Sequence, residues 1–333
     1  MKAMVVTGFK SASERPLALR EVPVPKPGPE DILVKVSCCG VCHTDLHIVE
    51  GDLPDVRMPR IPGHEVVGTV EKRGARAKRF KVGDRVGVAW LHSACGACRF
   101  CRSGRENLCE SARFTGYHLD GGYAEYMVVP DKFAYVVPGV FGNEEAAPLM
   151  CAGIVGYRSL KLSRIQPGGK LGLYGFGASA HVAIQIARHW GCRVYVFTRS
   201  DEHRRLAKKL GASWTGLAQE DPPAKLDAAI IFAPAGELYL EALRVLDRGG
   251  SVVSAGIYMS PIPGIDYNRL LYQERTMTSV ANATREDGEE LLKVAAAIPI
   301  RTAIHVFRLE EANEALRRLR VGKVTGAAVL RIG

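Results

Sequence analysis

Six of the nine cysteines fall into two patterns with different chemistry. Cys95, Cys98, Cys101 and Cys109 are spaced C-x2-C-x2-C-x7-C. Four thiolates close a tetrahedral zinc site to water, which makes such a site structural. Cys42 and Cys151 lie far apart, with Gly63-His64-Glu65 between them. Two thiolates and one imidazole leave a fourth position open, as zinc needs for chemistry. Cys39 and Cys42 also read as a CxxC redox pair. No thioredoxin-like βαβ pattern surrounds that pair, so the metal reading is favoured. Cys38, Cys39 and Cys192 are expected to be buried thiols.

The second chemical signal is Gly175-Phe176-Gly177-Ala178-Ser179-Ala180, between a strand-like and a helix-like run. This is G-x-G-x-x-A, the dinucleotide-binding turn with alanine at its third small position. Gly175 and Gly177 let the backbone turn and approach a pyrophosphate, and the helix amino terminus offers free N–H groups. Thr198-Arg199-Ser200 ends the next strand-like run. An Asp or Glu there would bond the ribose 2′-hydroxyl of NAD. Arg199 between two hydroxyls suits a 2′-phosphate instead, which favours NADP and leaves NAD as the alternative.

Two textures of chain must position these groups. Residues 1 to about 150 are rich in glycine and proline, with short alternating runs at 32–36, 66–70, 85–88 and 123–129. Such runs read as an all-β, barrel-like domain. From about 153, strands at 170–174, 193–197, 228–232 and 251–254 alternate with helices at 178–189, 201–210 and 236–246. That alternation implies a parallel sheet with helices on both faces. A helix near 310–320 and a strand at 327–330 follow, and this last stretch is expected to return to the first domain. Two domains suit a chain of 333 residues.

Composition narrows the function. The charge balance is 45 basic against 35 acidic residues, net +10. The basic residues are scattered rather than gathered into a tract, so no nucleic-acid partner is expected; an anionic dinucleotide suits the excess. No stretch reaches the length of a membrane span, and no membrane partner is expected. Residues 1–7 alternate like a strand, without a secretory pattern, and a reducing cytoplasm is the expected setting.

The run Gly63-His64-Glu65-Val66-Val67-Gly68 with Gly74 and Ala77, the segment Cys42-His43-Thr44-Asp45, the four-cysteine lobe, Cys151 and the Gly175 turn occur in one order. In that order they resemble the zinc-dependent medium-chain alcohol dehydrogenases, over essentially the whole chain. The resemblance implies an α/β fold: a Rossmann parallel-sheet coenzyme domain at 153–286, plus a mostly-β, GroES-like catalytic domain at 1–152 and 287–333, with a structural zinc lobe at about 92–112. It implies two zinc ions per chain, one structural and one catalytic, the latter on Cys42, His64 and Cys151. Glu65 would stand beside that metal, Asp45 would orient His64 through its far ring nitrogen, and Thr44 would bond the substrate oxygen. His47 would end a proton relay through the nicotinamide ribose, and His43 would lie near the pyrophosphate. The implied reaction is reversible hydride transfer between an alcohol and NAD(P)+, giving an aldehyde or ketone, in a homodimer or homotetramer. A polyol, threonine or formaldehyde dehydrogenase of the superfamily is the alternative enzyme. A zinc-containing nucleic-acid-binding protein is the non-enzyme alternative. One departure stands out: the family's Gly-Arg pair near the carboxyl end is Gly326-Ala327 here, and Ala327 cannot bring a charge to the pyrophosphate.

Overall fold

Alternating apolar residues in the first part of the chain pair as an antiparallel sheet. The computed structural model, which describes residues 1–333, centres that sheet on strand Asp31–Val41. Glu65–Arg73 runs along one edge of it. Tyr126–Pro130 and Ala327–Arg331 share the other edge. Arg85–Val88, Ala134–Val136 and Ile304–Arg308 complete seven strands, the last pairing in parallel with Ala327–Arg331. Val34, Val36, Val66, Val70, Val86, Val88 and Met127 are among the side chains that fill the core beneath. This unit comprises Met1–Cys151, Thr284–Ala296 and Arg301–Gly333. Asn313 fastens late chain to early chain: its amide accepts from Leu17 N at 3.0 Å and donates to Leu17 O at 2.8 Å.

The alternating run at 123–129 becomes a strand only at Tyr126. The preceding N–H groups are engaged elsewhere. Gly121 N bonds Ile61 O at 2.7 Å, Gly122 N bonds Gly63 O at 2.9 Å and Tyr123 N bonds Pro62 O at 3.0 Å. This clasp holds the segment that carries His64.

The other unit comprises Ala152–Ala283 and Ala297–Ile300. Six strands pair in parallel, in the order Trp214–Gly216, Arg193–Phe197, Lys170–Tyr174, Leu226–Ile231, Leu246–Ser254, Thr276–Ser279. Leu171, Leu173, Val194, Val196, Ile230 and Val252 are fully buried, as expected for strands covered on both faces. Chain order reverses between Lys170–Tyr174 and Leu226–Ile231, the switch point where such sheets bind ligands. Gly175 directly follows the first of these strands. The parallel-sheet half and the mostly-β half expected from sequence are both present. The helix expected at 236–246 is shorter, Leu238–Val245. Gly236 N is drawn to Ser260 Oγ at 2.8 Å, and Leu246 already pairs with Leu226 as strand.

His181 lies fully buried in the helix Ala178–His189. Burial lowers its pKa from 6.5 to about 4. Between those values the folded state binds fewer protons than the unfolded one. Stability therefore falls as pH drops below 6.5, and the loss levels off near 4. A shift of this size is worth roughly 3 kcal/mol. His181→Gln is expected to lose less stability than the parent between neutral pH and about pH 4.5, measured as urea midpoints. Equal losses would mean that His181 titrates normally in the folded state.

Candidate active site and metal centres

Cys42 ends the central strand's path and caps the helix His43–Glu50. Its Sγ accepts the Thr44 N–H at 3.3 Å, where an N-cap oxygen usually would. A helix amino terminus favours the thiolate there. His64 is delivered by Gly63, whose φ of +97° suits glycine alone. A Cβ at Gly63 would overlap the Tyr123 ring and approach Cys39 Sγ. Cys151 sits between the short 3-10 helix Ala147–Met150 and the helix Ala152–Ser163. These separate segments bring one ligand atom each from Cys42, His64, Glu65 and Cys151 within 4.8 Å of one another. His64 Nε2 lies 3.2 Å from Cys42 Sγ. Glu65 is 1% exposed, and its carboxylate fills the space a side chain at Gly40 would need.

Asp45 organises this group from 0% exposure. Its Oδ2 accepts Cys42 N at 3.0 Å and the Tyr123 hydroxyl at 3.1 Å. Its Oδ1 accepts Gly63 N at 3.1 Å and lies 3.4 Å from His64 Nδ1. The far ring nitrogen of His64 thus faces Asp45, and the near one faces Cys42. A hydrogen bond from Cys151, together with His64 and Thr44, holds the Cys42 thiol well below its ordinary pKa. The same bond and burial push Cys151 far up. Burial alone would lower the His64 pKa, but the anions at Cys42 and Asp45 raise it well above its ordinary value. Two thiols, an imidazole and a buried carboxylate converging in an anionic pocket suit a divalent cation, and the soft sulfurs with the imidazole suit zinc.

Around this group, Thr44 is buried and His43 is exposed. His47, one turn after Thr44, is partly buried, and its Nδ1 lies 2.9 Å from Asp52 Oδ2. The carboxylate accepts, so Nδ1 carries a proton. Gly51, left-handed at φ +83°, ends the helix and turns Asp52 back beneath His47. Sequence reasoning missed Asp52, since a helix-ending glycine followed by an acid is a common pattern. Trp90 meets the His64 ring edge-on at 4.8 Å and stacks with Tyr117 and Phe114.

The four-cysteine lobe converges too, with all four Sγ atoms within 4.8 Å. Backbone N–H groups point at the sulfurs: Cys98 N at Cys95 Sγ, 3.3 Å, and Cys101 N at Cys98 Sγ, 3.5 Å. N–H groups of Ala97 and Cys98 hold the Cys95 thiol down to about 6. Four thiol donors of this kind fit a closed zinc site.

In the parallel-sheet unit, Gly175 turns at φ +85° and its N–H bonds Phe197 O at 2.8 Å. Gly177 caps the helix Ala178–His189, and a Cβ there would meet nothing within 4 Å, which leaves the backbone open to a pyrophosphate. Ala180 is fully buried. At the end of the neighbouring strand, Thr198 is buried, Arg199 is exposed and Ser200 Oγ caps the next helix through His203 N at 3.3 Å. Ala327 is a buried strand residue whose N–H bonds Ala303 O at 2.8 Å.

Comparison with known proteins identifies the family. Residues 28–139 match the family model described as the alcohol dehydrogenase GroES-like domain, and residues 178–297 match that of the zinc-binding dehydrogenases. The chain is 49% identical over 314 residues, 93% of its length and 91% of the relative's, to a probable alcohol dehydrogenase, AdhA, of Mycobacterium tuberculosis (strain CDC 1551 / Oshkosh). Among solved structures it is similar to CAD from Helicobacter pylori complexed with NADP(H), with a TM-score of 0.90 and 26% identity, covering 99% of this chain and 97% of that one. It is also similar to acetophenone reductase from Geotrichum candidum NBRC 4597 in complex with NAD, with a TM-score of 0.88 and 28% identity, covering 99% and 96%. The chain belongs to the zinc-dependent medium-chain alcohol dehydrogenase family.

Proposed function

We propose that this protein is a zinc-dependent alcohol dehydrogenase that interconverts an alcohol and an aldehyde or ketone with NADP as its preferred coenzyme. The observation that carries the reading is the convergence of Cys42, His64, Glu65 and Cys151. In this reading Cys42, His64 and Cys151 hold the catalytic zinc, Glu65 stands beside it, and the four-cysteine lobe holds the structural one. Gly175, Gly177 and Ala180 form the pyrophosphate turn of the coenzyme domain. When bound, the metal supplies Lewis acidity toward an alcohol oxygen, and the nicotinamide supplies the two-electron acceptor. The residues of the chain do the rest. Asp45 keeps the His64 ring turned so that Nε2 faces the metal-binding group. Thr44 offers a hydroxyl that both accepts and donates a proton. His47, its Nδ1–H engaged by Asp52, keeps Nε2 to take that proton toward solvent. Asp52 thereby joins the relay as the group that fixes the tautomer.

Solved neighbours carry NADP(H) in one case and NAD in another, so the coenzyme assignment rests on Arg199. No acid stands at that strand end, and Arg199 is free to face solvent. A charge-assisted contact from Arg199 to a 2′-phosphate is worth about 1.5–3 kcal/mol. Arg199→Ala is therefore expected to lower kcat/KM for NADPH roughly 10- to 100-fold while leaving NADH nearly unchanged. A wild-type preference for NADH would overturn the assignment. The reaction itself is tested by a panel of primary and secondary alcohols, aldehydes and ketones with both coenzymes, alongside a zinc count. Two zinc ions per chain and alcohol-dependent coenzyme reduction are expected; no turnover across the panel would sink the reading.

A further inference from the structure

The group that orients His64 is itself held by a further group. We infer that Tyr123 is a positioning residue of the metal centre, fixing the Asp45 carboxylate and through it the His64 ring. The inference rests on the proposed role of Cys42, His64 and Cys151 as metal ligands. Tyr123 and Asp45 are both 0% exposed, so nothing outside the protein replaces their contact. The Tyr123 hydroxyl donates to Asp45 Oδ2 at 3.1 Å, and Cys42 N donates to the same oxygen at 3.0 Å. With two donors on Oδ2, the carboxylate is locked about its last torsion. Oδ1 is then left for Gly63 N at 3.1 Å and His64 Nδ1 at 3.4 Å.

The Tyr123 backbone is anchored on both sides. Its backbone N–H bonds Pro62 O at 3.0 Å, and its carbonyl accepts Met4 N at 2.8 Å. Its neighbours Gly121 and Gly122 bond the carbonyls of Ile61 and Gly63. The ring itself occupies the space beside Gly63 that any side chain there would need. Tyr123 therefore touches the His64-bearing segment through its backbone and the Cys42-bearing helix through Asp45. Without the hydroxyl, a buried carboxylate short of one donor draws on those that remain. The His64 contact is the longest of the four and is the one that shifts.

Tyr123→Phe keeps the ring and removes only the hydroxyl. Zinc release to a chelator, followed with a metallochromic indicator, separates the two sites by their kinetics. The catalytic zinc is expected to bind about tenfold more weakly than in the parent, and the lobe zinc is expected to bind unchanged. Asp45→Asn is expected to weaken the same site, and adding Tyr123→Phe to it should weaken it no further. Equal retention in Tyr123→Phe and the parent overturns the inference. Equal weakening at both sites also overturns it, since that reports general loosening. A fully additive double variant does so as well. A parent protein that holds zinc only in the lobe would instead refute the ligand assignment on which the inference stands.

Discussion

Cys42→Ala is expected to retain one zinc ion per chain instead of two and to lose about a thousandfold or more in kcat/KM for alcohol oxidation. The size follows from what the metal does. Polarising an oxygen in a closed site is worth several kcal/mol, and about 4 kcal/mol is a factor of roughly a thousand. Removing one of the three proposed ligands leaves His64 and Cys151 on different segments, with one sulfur in place of two. The fold itself should survive. Cys42 caps a helix of eight residues, and loss of a cap costs about 1 kcal/mol against a total of roughly 5–15. Zinc by elemental analysis, steady-state kinetics and thermal unfolding separate the two effects. A variant with one zinc fewer and unchanged turnover would remove Cys42 from the chemistry. A variant that unfolds would assign it to the scaffold.

What the sequence shows and hides at this site has a physical cause. Cys42, His64, Cys151 and the four lobe cysteines are visible because few residue types ligate zinc. The Gly175 turn is visible because a backbone at φ +85° against Ala233 excludes most side chains. The helix Ala178–His189 follows from that turn and matches its expected bounds. Asp52 and Tyr123 are hidden for the opposite reason. An aspartate after a glycine, or a tyrosine after two, is ordinary in any loop. Their importance arises when Gly51 folds Asp52 beneath His47 and when the 121–123 clasp carries Tyr123 to Asp45. The start of strand Tyr126–Pro130 was misjudged at the same place, because alternation cannot reveal which N–H groups a distant segment has already taken.

Cys98→Ala is expected to show the reverse pattern to Cys42→Ala: large loss of order in one lobe, with the chemistry retained at low temperature. Between Ala94 and Ala112 the only buried residues are Glu106, Asn107 and Cys109, none of them aliphatic or aromatic. Phe100 is only half-buried, with the guanidinium groups of Arg99 and Arg105 over its ring at 4.6 and 5.4 Å. Such a segment buries too little hydrocarbon to offset the entropy of ordering its backbone, about 1–2 kcal/mol per residue. In the proposed reading, metal binding supplies the folding energy, as in small zinc modules. One other tie remains. Glu106 accepts from Arg285 N at 3.1 Å and Arg285 Nε at 3.0 Å, and so pins the lobe's far end to the start of helix Arg285–Ala297. Hydrogen exchange in Cys98→Ala should therefore rise by orders of magnitude over residues 95–105 and less near Glu106. The thermal midpoint should fall by several degrees while alcohol turnover at low temperature stays within a fewfold of the parent. Unchanged exchange and an unchanged midpoint would mean that the lobe holds its shape without metal. Turnover lost in proportion to the lobe's order would mean that the two zinc sites are not independent.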